Sequence, residues 1–240
     1  ARPEIHPRPV DVLVVGAGSA GVFAALAAKK PDTSVVLIEP SNVLGGQGTG
    51  GGVAGFCGDT ERVNRPFAEL VEVLAQYDLI APYECNADRR EYDLERYAFF
   101  LQEKVVGQDI QVLLHARALD TQVREGHIDL VRVAAASSMI HFQPEMVIDA
   151  TGDCAIALAA GFETIHEGAG KQLPMSLYFT LWDTGRAIKP FLPPGCPTWD
   201  GDEDIPMTTL HPFPSGKVEV KMKVVGFDAA DGESLADAEI

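Results

Sequence analysis

The stretch Asp11-Val-Leu-Val-Val15-Gly16-Ala-Gly18-Ser-Ala-Gly21 decides the fold of this chain. Its run of aliphatic, β-branched residues is typical of a parallel strand that is buried on both faces. The glycines follow this run without a gap, and the Ala-rich segment from Val22 to Lys30 predicts a helix with two lysines at its carboxyl end. The order strand, glycine turn, helix is the opening of a βαβ unit.

A second strand that ends in an acid completes this unit. Residues 34–38 are mostly Val, Leu and Ile, and Glu39 follows them 23 positions after Gly16. In a dinucleotide site, such glycines allow a tight turn, close approach of the backbone to a pyrophosphate, and close packing of helix on strand. The helix amides face the anion, and the acid accepts ribose hydroxyls while rejecting a 2′-phosphate. The sequence therefore predicts a dinucleotide-binding βαβ unit.

Two later segments indicate which dinucleotide binds. After Glu39 comes a segment in which seven of the thirteen residues from Gly46 to Gly58 are glycine, as in a backbone surface laid against a ligand. A further apolar strand, from Met146, ends in the sequence ATGD at Asp153. With the LPMSL sequence of residues 173–177, these motifs resemble the FAD-dependent oxidoreductases of the two-dinucleotide-binding-domain, glutathione-reductase-like type. The resemblance covers roughly residues 11–182.

This resemblance implies FAD as the cofactor. The first βαβ unit would hold the ADP part, the glycine loop would lie near the ribityl chain, and the ATG strand would return to the cofactor. The residues expected to bind FAD are Gly16, Gly18, Ser19, Ala20, Gly21, Glu39, Pro40, Gly45, Gly46, Gln47, Thr49, Gly50, Ala118, Ala150, Thr151, Gly152 and Asp153.

The remaining patterns predict an α/β fold in two parts. Residues 1–165 are expected to form a Rossmann-like FAD-binding domain with a parallel sheet and an antiparallel β-meander, and residues 166–240 the start of a β-rich substrate domain. Apolar residues at helical spacing predict two helices, one with Asn64 as its cap and Phe67, Leu70, Val71 and Leu74 facing the core, the other with Leu94, Tyr97, Ala98 and Leu101. Strands are predicted at residues 111–114, 175–182 and 217–224, with the meander from 119 to 142 packed on the sheet.

Three residues are candidates for catalysis. Cys57 follows the glycine loop and is either a thiol near the flavin, even a covalent attachment point, or a small buried hydrophobe. His166 is a candidate base or a packed histidine, and Ser176 lies in a segment that the resemblance places near the flavin ring. Cys154 has the same two interpretations as Cys57, and Asp153 either bonds cofactor hydroxyls or, the favoured interpretation, caps the helix that follows it.

Composition and missing motifs exclude several functions. A net charge of −16 opposes binding to nucleic acid or to anionic lipid, since both need a basic footprint. The four cysteines form no CxxC pair and the six histidines no HExxH motif, so the sequence predicts no metal site. The sequence also has no GxSxG elbow and no Walker A lysine. It contains no secretory signal pattern and no predicted membrane span, which favours a cytoplasmic protein.

These observations predict an FAD-dependent dehydrogenase or oxidase that moves a hydride from a small organic substrate to flavin N5. The resemblance implies a further part of the substrate domain and a final glycine-rich segment, and neither occurs in these 240 residues. We therefore expect the substrate domain to be completed by a second polypeptide or by a C-terminal part that these residues do not include. Two alternatives are a non-catalytic subunit that holds a dinucleotide within a complex and a thiazole-synthase-like enzyme, whose glycine-rich stretch Gly50-Gly-Gly52 resembles.

Overall fold

A computed structural model describes residues 6–56, 65–76, 80–83, 86–165, 175–189, 191–196, 198, 208–212, 216–224 and 226. The chain divides into two compact units, residues 1–165 and residues 166–240. No helix within the described ranges is both long enough and apolar enough to cross a membrane.

The first unit contains most of the regular structure. In chain order its elements are β1 (Arg8–Val15), α1 (Ser19–Ala28), β2 (Val35–Ile38), a 3₁₀ turn (Gly46–Gly48), β3 (Gly55–Phe56), α2 (Arg65–Gln76), β4 (Ile80–Tyr83), β5 (Asn86–Tyr92), α3 (Leu94–Val106), β6 (Gln111–Leu113), β7 (Ala116–Arg124), β8 (His127–Ala135), β9 (Ser138–Asp149) and α4 (Ala155–Ala159).

A six-stranded sheet in the order β6-β2-β1-β9-β8-β7 is the centre of this unit. Strand β1 lies between β2 and β9 and is parallel to both. Its residues Leu13, Val14 and Val15 are all buried, as predicted for a strand with both faces covered. Helix α1 packs against β1, β2 and β9, and the predicted α/β, Rossmann-like class is confirmed.

The meander differs from the prediction in its placement. We expected it to pack on the sheet, but β7 and β8 are hydrogen-bonded into the same sheet as the parallel strands. The reason is the length of β9, which pairs antiparallel with β8 over residues 138–142 and parallel with β1 over residues 142–149. One continuous strand therefore joins the parallel and antiparallel halves of the sheet.

Both predicted helices are present. In α2, Leu70 and Leu74 are buried, and in α3 the buried residues include Leu94, Tyr97 and Leu101. The side chain of Asp93 caps α3 by accepting a hydrogen bond from the amide of Arg96 at 3.0 Å. The predicted cap of α2, Asn64, lies outside the described residues. The strands β3, β5 and β4 form a small antiparallel sheet in that order. Along the chain, β3 precedes α2, whereas β4 and β5 lie between α2 and α3.

The second unit is a three-stranded antiparallel sheet of β10 (Met175–Trp182), β11 (Thr209–Pro212) and β12 (Lys217–Val224), with β12 in the middle. The bounds of β10 and β12 are those predicted from the alternating sequence. In β12, Lys217 and Glu219 lie on one face and form an ion pair, with 2.8 Å between Nζ and Oε1. Both side chains are almost fully buried, at 1% and 2% exposure.

This buried pair predicts an asymmetric response to substitution. Glu219→Ala leaves the Lys217 ammonium buried without that carboxylate, so we expect it to lower the free energy of unfolding by about 3–5 kcal/mol. The double variant Lys217→Met, Glu219→Leu removes both charges and should be close to wild type. Denaturant unfolding measures both values, and a Glu219→Ala loss below about 1 kcal/mol would contradict a structural role for this pair.

Candidate dinucleotide-binding site

The carboxyl ends of β1, β2 and β9 meet at one edge of the sheet. The last residues of the three strands are in register, with Val15 opposite both Ile38 and Asp149. In a doubly wound sheet, ligands bind at this edge. Three of the four predicted cofactor segments follow directly from these strands, namely residues 16–21, residues 39–50 and residues 150–153.

The turn after β1 has the geometry that its glycines predict. Gly16 has a φ of +90°, and its amide donates to the carbonyl of Ile38 at 2.9 Å. A Cβ atom at Gly21 would lie 1.8 Å from the carbonyl oxygen of Gly16 and 3.1 Å from Cβ of Ala150. A side chain at either end of this turn is therefore incompatible with the packing of α1 on β1 and β9.

The start of α1 is open to an anion. The first intrahelical bond runs from the amide of Val22 to the carbonyl of Gly18 at 3.0 Å, so the preceding amides have no partner inside the helix. Gly18 is the cap residue, and the structure gives it no side-chain cap. A Cβ atom at Gly18 would meet no described atom within 4 Å. This open space and the amides without a partner inside the helix fit a pyrophosphate.

Glu39 is fixed by backbone amides at the end of β2. Its Oε2 accepts a hydrogen bond from the amide of Ala17 at 2.8 Å, and its Oε1 accepts one from the amide of Ser41 at 2.9 Å. The side chain is only 7% exposed. Because each carboxylate oxygen has a second lone pair, both can still accept a ribose hydroxyl. The carbonyl of Glu39 also accepts a hydrogen bond from the amide of Ala116 at 2.9 Å. Ala116 lies in β7, two residues before Ala118, which is among the residues predicted to bind FAD.

The glycine loop lies directly against the turn after β1. The amide of Gly45 donates to the carbonyl of Ala17 at 2.8 Å, and Gly45 forms a parallel bridge with Gly18. Thr49 holds the loop closed, since its buried hydroxyl donates to the carbonyl of Leu44 at 2.6 Å. Gln47 contributes through its carbonyl, which accepts from the amide of Val53. Among the residues of this region that are predicted to bind FAD, Pro40, Gln47 and Gly50 are exposed.

The segment after β9 is organised by a residue that the sequence analysis did not single out. Asp149 accepts hydrogen bonds from the amide and hydroxyl of Thr151, at 3.1 and 2.6 Å, and from the amides of Ile156 and Ala157, at 3.0 and 2.9 Å. The hydroxyl of Thr151 accepts from the amide of Ala155 at 2.8 Å. Asp149 and Thr151 together therefore cap α4.

The favoured interpretation of Asp153 as the helix cap is wrong. Asp153 is exposed, and the structure shows no side-chain bond at the cap position, Cys154. Cys154 has a left-handed backbone, with φ at +56°, which turns the chain so that the start of α4 reaches back to Asp149. Cys154 itself is exposed, so its interpretation as a small buried hydrophobe is also wrong. The D-x-T spacing, which is typical of a local turn with an aspartate acceptor, is the signal that was missed.

The catalytic candidates are not brought together by the described structure. Cys57 and His166 lie outside the described residues. Ser176 is exposed in β10, opposite Lys223 of β12. Among the residues that the structure describes, no group of three or more His, Cys, Asp or Glu residues could hold a metal ion.

The fold and the site define a class, the Rossmann-type dinucleotide-binding α/β proteins. The family model described as FAD dependent oxidoreductase matches residues 11–233. The chain belongs to this family, and FAD is its cofactor. No curated protein matches the chain.

Solved structures of flavoproteins share this fold. A geranylgeranyl bacteriochlorophyll reductase-like protein from Thermoplasma acidophilum aligns with a TM-score of 0.58 at 15% identity, covering 91% of this chain and 57% of that one. The myxobacterial chondrochloren halogenase CndH aligns with a TM-score of 0.56 at 12% identity, and the alignment covers 97% of this chain and 57% of the halogenase. A flavoprotein/dehydrogenase from Cytophaga hutchinsonii aligns with a TM-score of 0.54 at 16% identity, and the alignment covers 89% of this chain and 55% of that protein. At these identities the likeness shows the fold alone, and the chain spans little more than half the length of each structure.

The packing of the turn predicts opposite outcomes at two glycines. Gly21→Ala places a methyl group within 1.8 Å of the carbonyl oxygen of Gly16, so α1 must move. We expect this to lower the free energy of unfolding by at least about 3 kcal/mol. Gly18→Ala meets open space and should change stability by less than about 1 kcal/mol. Thermal and denaturant unfolding of the two variants measures this difference, and equal stability would contradict the described contact.

The cap of α4 predicts a second pair of outcomes. Asp149→Ala removes the acceptor of four hydrogen bonds, so we expect it to destabilise the protein by about 1–3 kcal/mol. Asp153→Ala changes an exposed side chain and should stay within about 0.5 kcal/mol of wild type. The free energy of unfolding checks both, and a larger effect at Asp153 than at Asp149 would restore Asp153 as the cap.

Proposed function

We propose that this chain binds the ADP part of FAD, including its pyrophosphate, at the carboxyl ends of β1, β2 and β9. We further propose that it acts in a dehydrogenase or oxidase. The observation that carries this proposal is the start of α1. Its amides have no partner inside the helix, the space at Gly18 is open, and Glu39 is held beside them at the end of β2. This arrangement suits an anion flanked by a ribose.

In this proposal the parts of the site have separate tasks. The amides at the start of α1 bind the pyrophosphate, while the carboxylate of Glu39 accepts the ribose hydroxyls and excludes a 2′-phosphate by its charge. The loop from Gly45 to Gly50 borders the site on the side of the turn, where Gly45 bridges to Gly18. Thr151 and Gly152 border it from β9, and Asp149 holds them in place.

The reaction that we propose is transfer of a hydride from a small organic donor to the cofactor. When FAD is bound, its isoalloxazine ring supplies the hydride acceptor, N5. The family and the dehydrogenase named among the structural neighbours support this reaction class. Among the described residues, Ser176, which is exposed in β10, is our candidate for a contact with the substrate. Cys57 and His166 remain candidates from the sequence.

We also propose that a second polypeptide completes the substrate side and that the enzyme works in the cytoplasm. This chain covers 55–57% of the length of these structural neighbours. Copurification of the natively expressed protein, followed by mass spectrometry of whatever accompanies it, tests for that polypeptide. Fractionation of the cell tests the compartment.

The absorption spectrum of the natively purified protein tests this function. We expect flavin bands that pass into the supernatant after acid precipitation, with FAD identified there by mass spectrometry. Colour kept in the pellet would indicate covalent attachment and would favour Cys57. Because Gly18→Ala adds a methyl group where the pyrophosphate is expected, it should lower the FAD content at least about tenfold without loss of fold.

Ser138→Ala is the matched control, because Ser138 lies at the opposite end of β9, and it should keep its full FAD content. A colourless protein that takes up no added FAD even with its partner chain present would overturn the proposed function. Colour without any donor-dependent reduction would instead support the non-catalytic dinucleotide-holding subunit.

A further inference from the structure

The hydroxyl groups of Ser19 and Tyr97 lie 3.1 Å apart, within hydrogen-bond distance. Ser19 is the first residue of α1, directly after Gly18, and Tyr97 belongs to α3, 78 positions further along the chain. Tyr97 appears in the sequence as one of the apolar positions of its helix and is fully buried. Its polar end nevertheless reaches the turn where the pyrophosphate is proposed to bind.

The ring of Tyr97 is held by aromatic neighbours. Its centroid is 4.6 Å from that of Tyr92 and 5.5 Å from that of Phe56, the latter in an edge-on arrangement at 86°. On the side of the glycine loop, a Cβ atom at Gly48 would lie 3.1 Å from Cε1 of Tyr97. Because the ring is packed on several sides, its hydroxyl has a fixed position from which to contact Ser19.

The direction of this hydrogen bond follows from the chemistry of the two groups. Each hydroxyl has one proton to donate and two lone pairs to accept. Burial raises the pKa of the Tyr97 phenol, so the phenol keeps its proton at neutral pH. A pyrophosphate accepts hydrogen bonds and donates none. An anion at the start of α1 therefore favours the arrangement in which Tyr97 donates to Oγ of Ser19 and the Ser19 proton points to the anion.

We propose that Tyr97 is a positioning residue for the cofactor, whose hydroxyl directs the O–H of Ser19 toward the pyrophosphate. Ser19 then contributes a side-chain donor beside the helix amides, and the two hydroxyls polarise each other in a short chain that ends on the phosphate. The inference rests on the proposed binding of the pyrophosphate at α1. It assigns a role in binding to an aromatic residue outside the glycine motifs.

A double-mutant cycle on nucleotide affinity tests this inference. Ser19→Ala removes the donor to a charged group and should weaken binding of FAD, and of ADP to the flavin-free protein, about tenfold to a hundredfold. Tyr97→Phe keeps the packed ring and removes only the hydroxyl, so we expect a loss of about threefold to tenfold. Because Tyr97 acts through Ser19, the double variant should bind no more weakly than Ser19→Ala alone.

Two controls separate this role from a purely structural tie between α1 and α3. Adenosine has no phosphate, so Tyr97→Phe should leave the affinity for adenosine unchanged while it lowers the affinity for ADP. Tyr92→Phe removes a hydroxyl from the same aromatic cluster, one that donates to the carbonyl of Val53 at 2.9 Å, and should not change ADP affinity. Additive losses in the cycle, or equal losses for ADP and adenosine, would overturn the inference.

The outcome at Gly18 distinguishes this inference from the proposed function. If Gly18→Ala binds ADP as wild type does, the pyrophosphate does not lie at α1 and both proposals fail. If Gly18→Ala weakens ADP binding and Tyr97→Phe does not, only the role of Tyr97 fails. Should Tyr97→Phe not fold, Ser19→Ala carries the test, because unchanged ADP binding in that variant would remove the hydroxyl from the site.

Discussion

The contact between α1 and the turn after β1 is the constraint on which the first unit depends. Gly21 leaves no room for a single carbon atom between the helix, the carbonyl of Gly16 and Ala150 of the β9 edge. This contact buries Val22 and Ala25 of α1 and aims the first amides of the helix along the edge of the sheet. Without it, neither the position of those amides nor the bridge from Gly18 to Gly45 would be fixed.

Two carboxylates at the same edge act on the backbone in similar ways. Glu39 follows β2 and Asp149 ends β9, the two strands that flank β1. Each carboxylate accepts hydrogen bonds from backbone amides of segments that leave the sheet. Hydrogen bonds from backbone amides to a carboxylate are charge-assisted, and they fix the position of both side chains. The loops around the site are thus held by the same kind of interaction that the helix amides offer to a phosphate.

The sequence was sufficient for the local elements and insufficient for contacts between distant ones. The strand-like composition of residues 175–182 and the clean alternation of residues 217–224 predicted both strands with their observed bounds, and the glycine motif predicted the turn. The periodicity of α3 predicted that Tyr97 is buried but could not predict that its hydroxyl meets Ser19, since spacing identifies a face and not a partner. The cap of α4 was missed because Asp149 reaches its partners through the left-handed turn at Cys154. The prediction placed the meander on the sheet and not within it, because the pairing of β9 with both β8 and β1 depends on residues that are far apart in the chain.

The long strand β9 has a consequence for how the chain folds during synthesis. Its partner at the carboxyl end, Val15, precedes Asp149 by 134 positions, whereas its other partner β8 is joined to it by a short turn. The nascent chain can therefore form the β8–β9 hairpin early, but β1 keeps one unpaired edge until translation has passed residue 149. Docking of that hairpin onto β1 is a long-range closure, the kind of event that makes folding slow. Until then, the exposed edge of the first strand is open to pairing with other chains on crowded ribosomes.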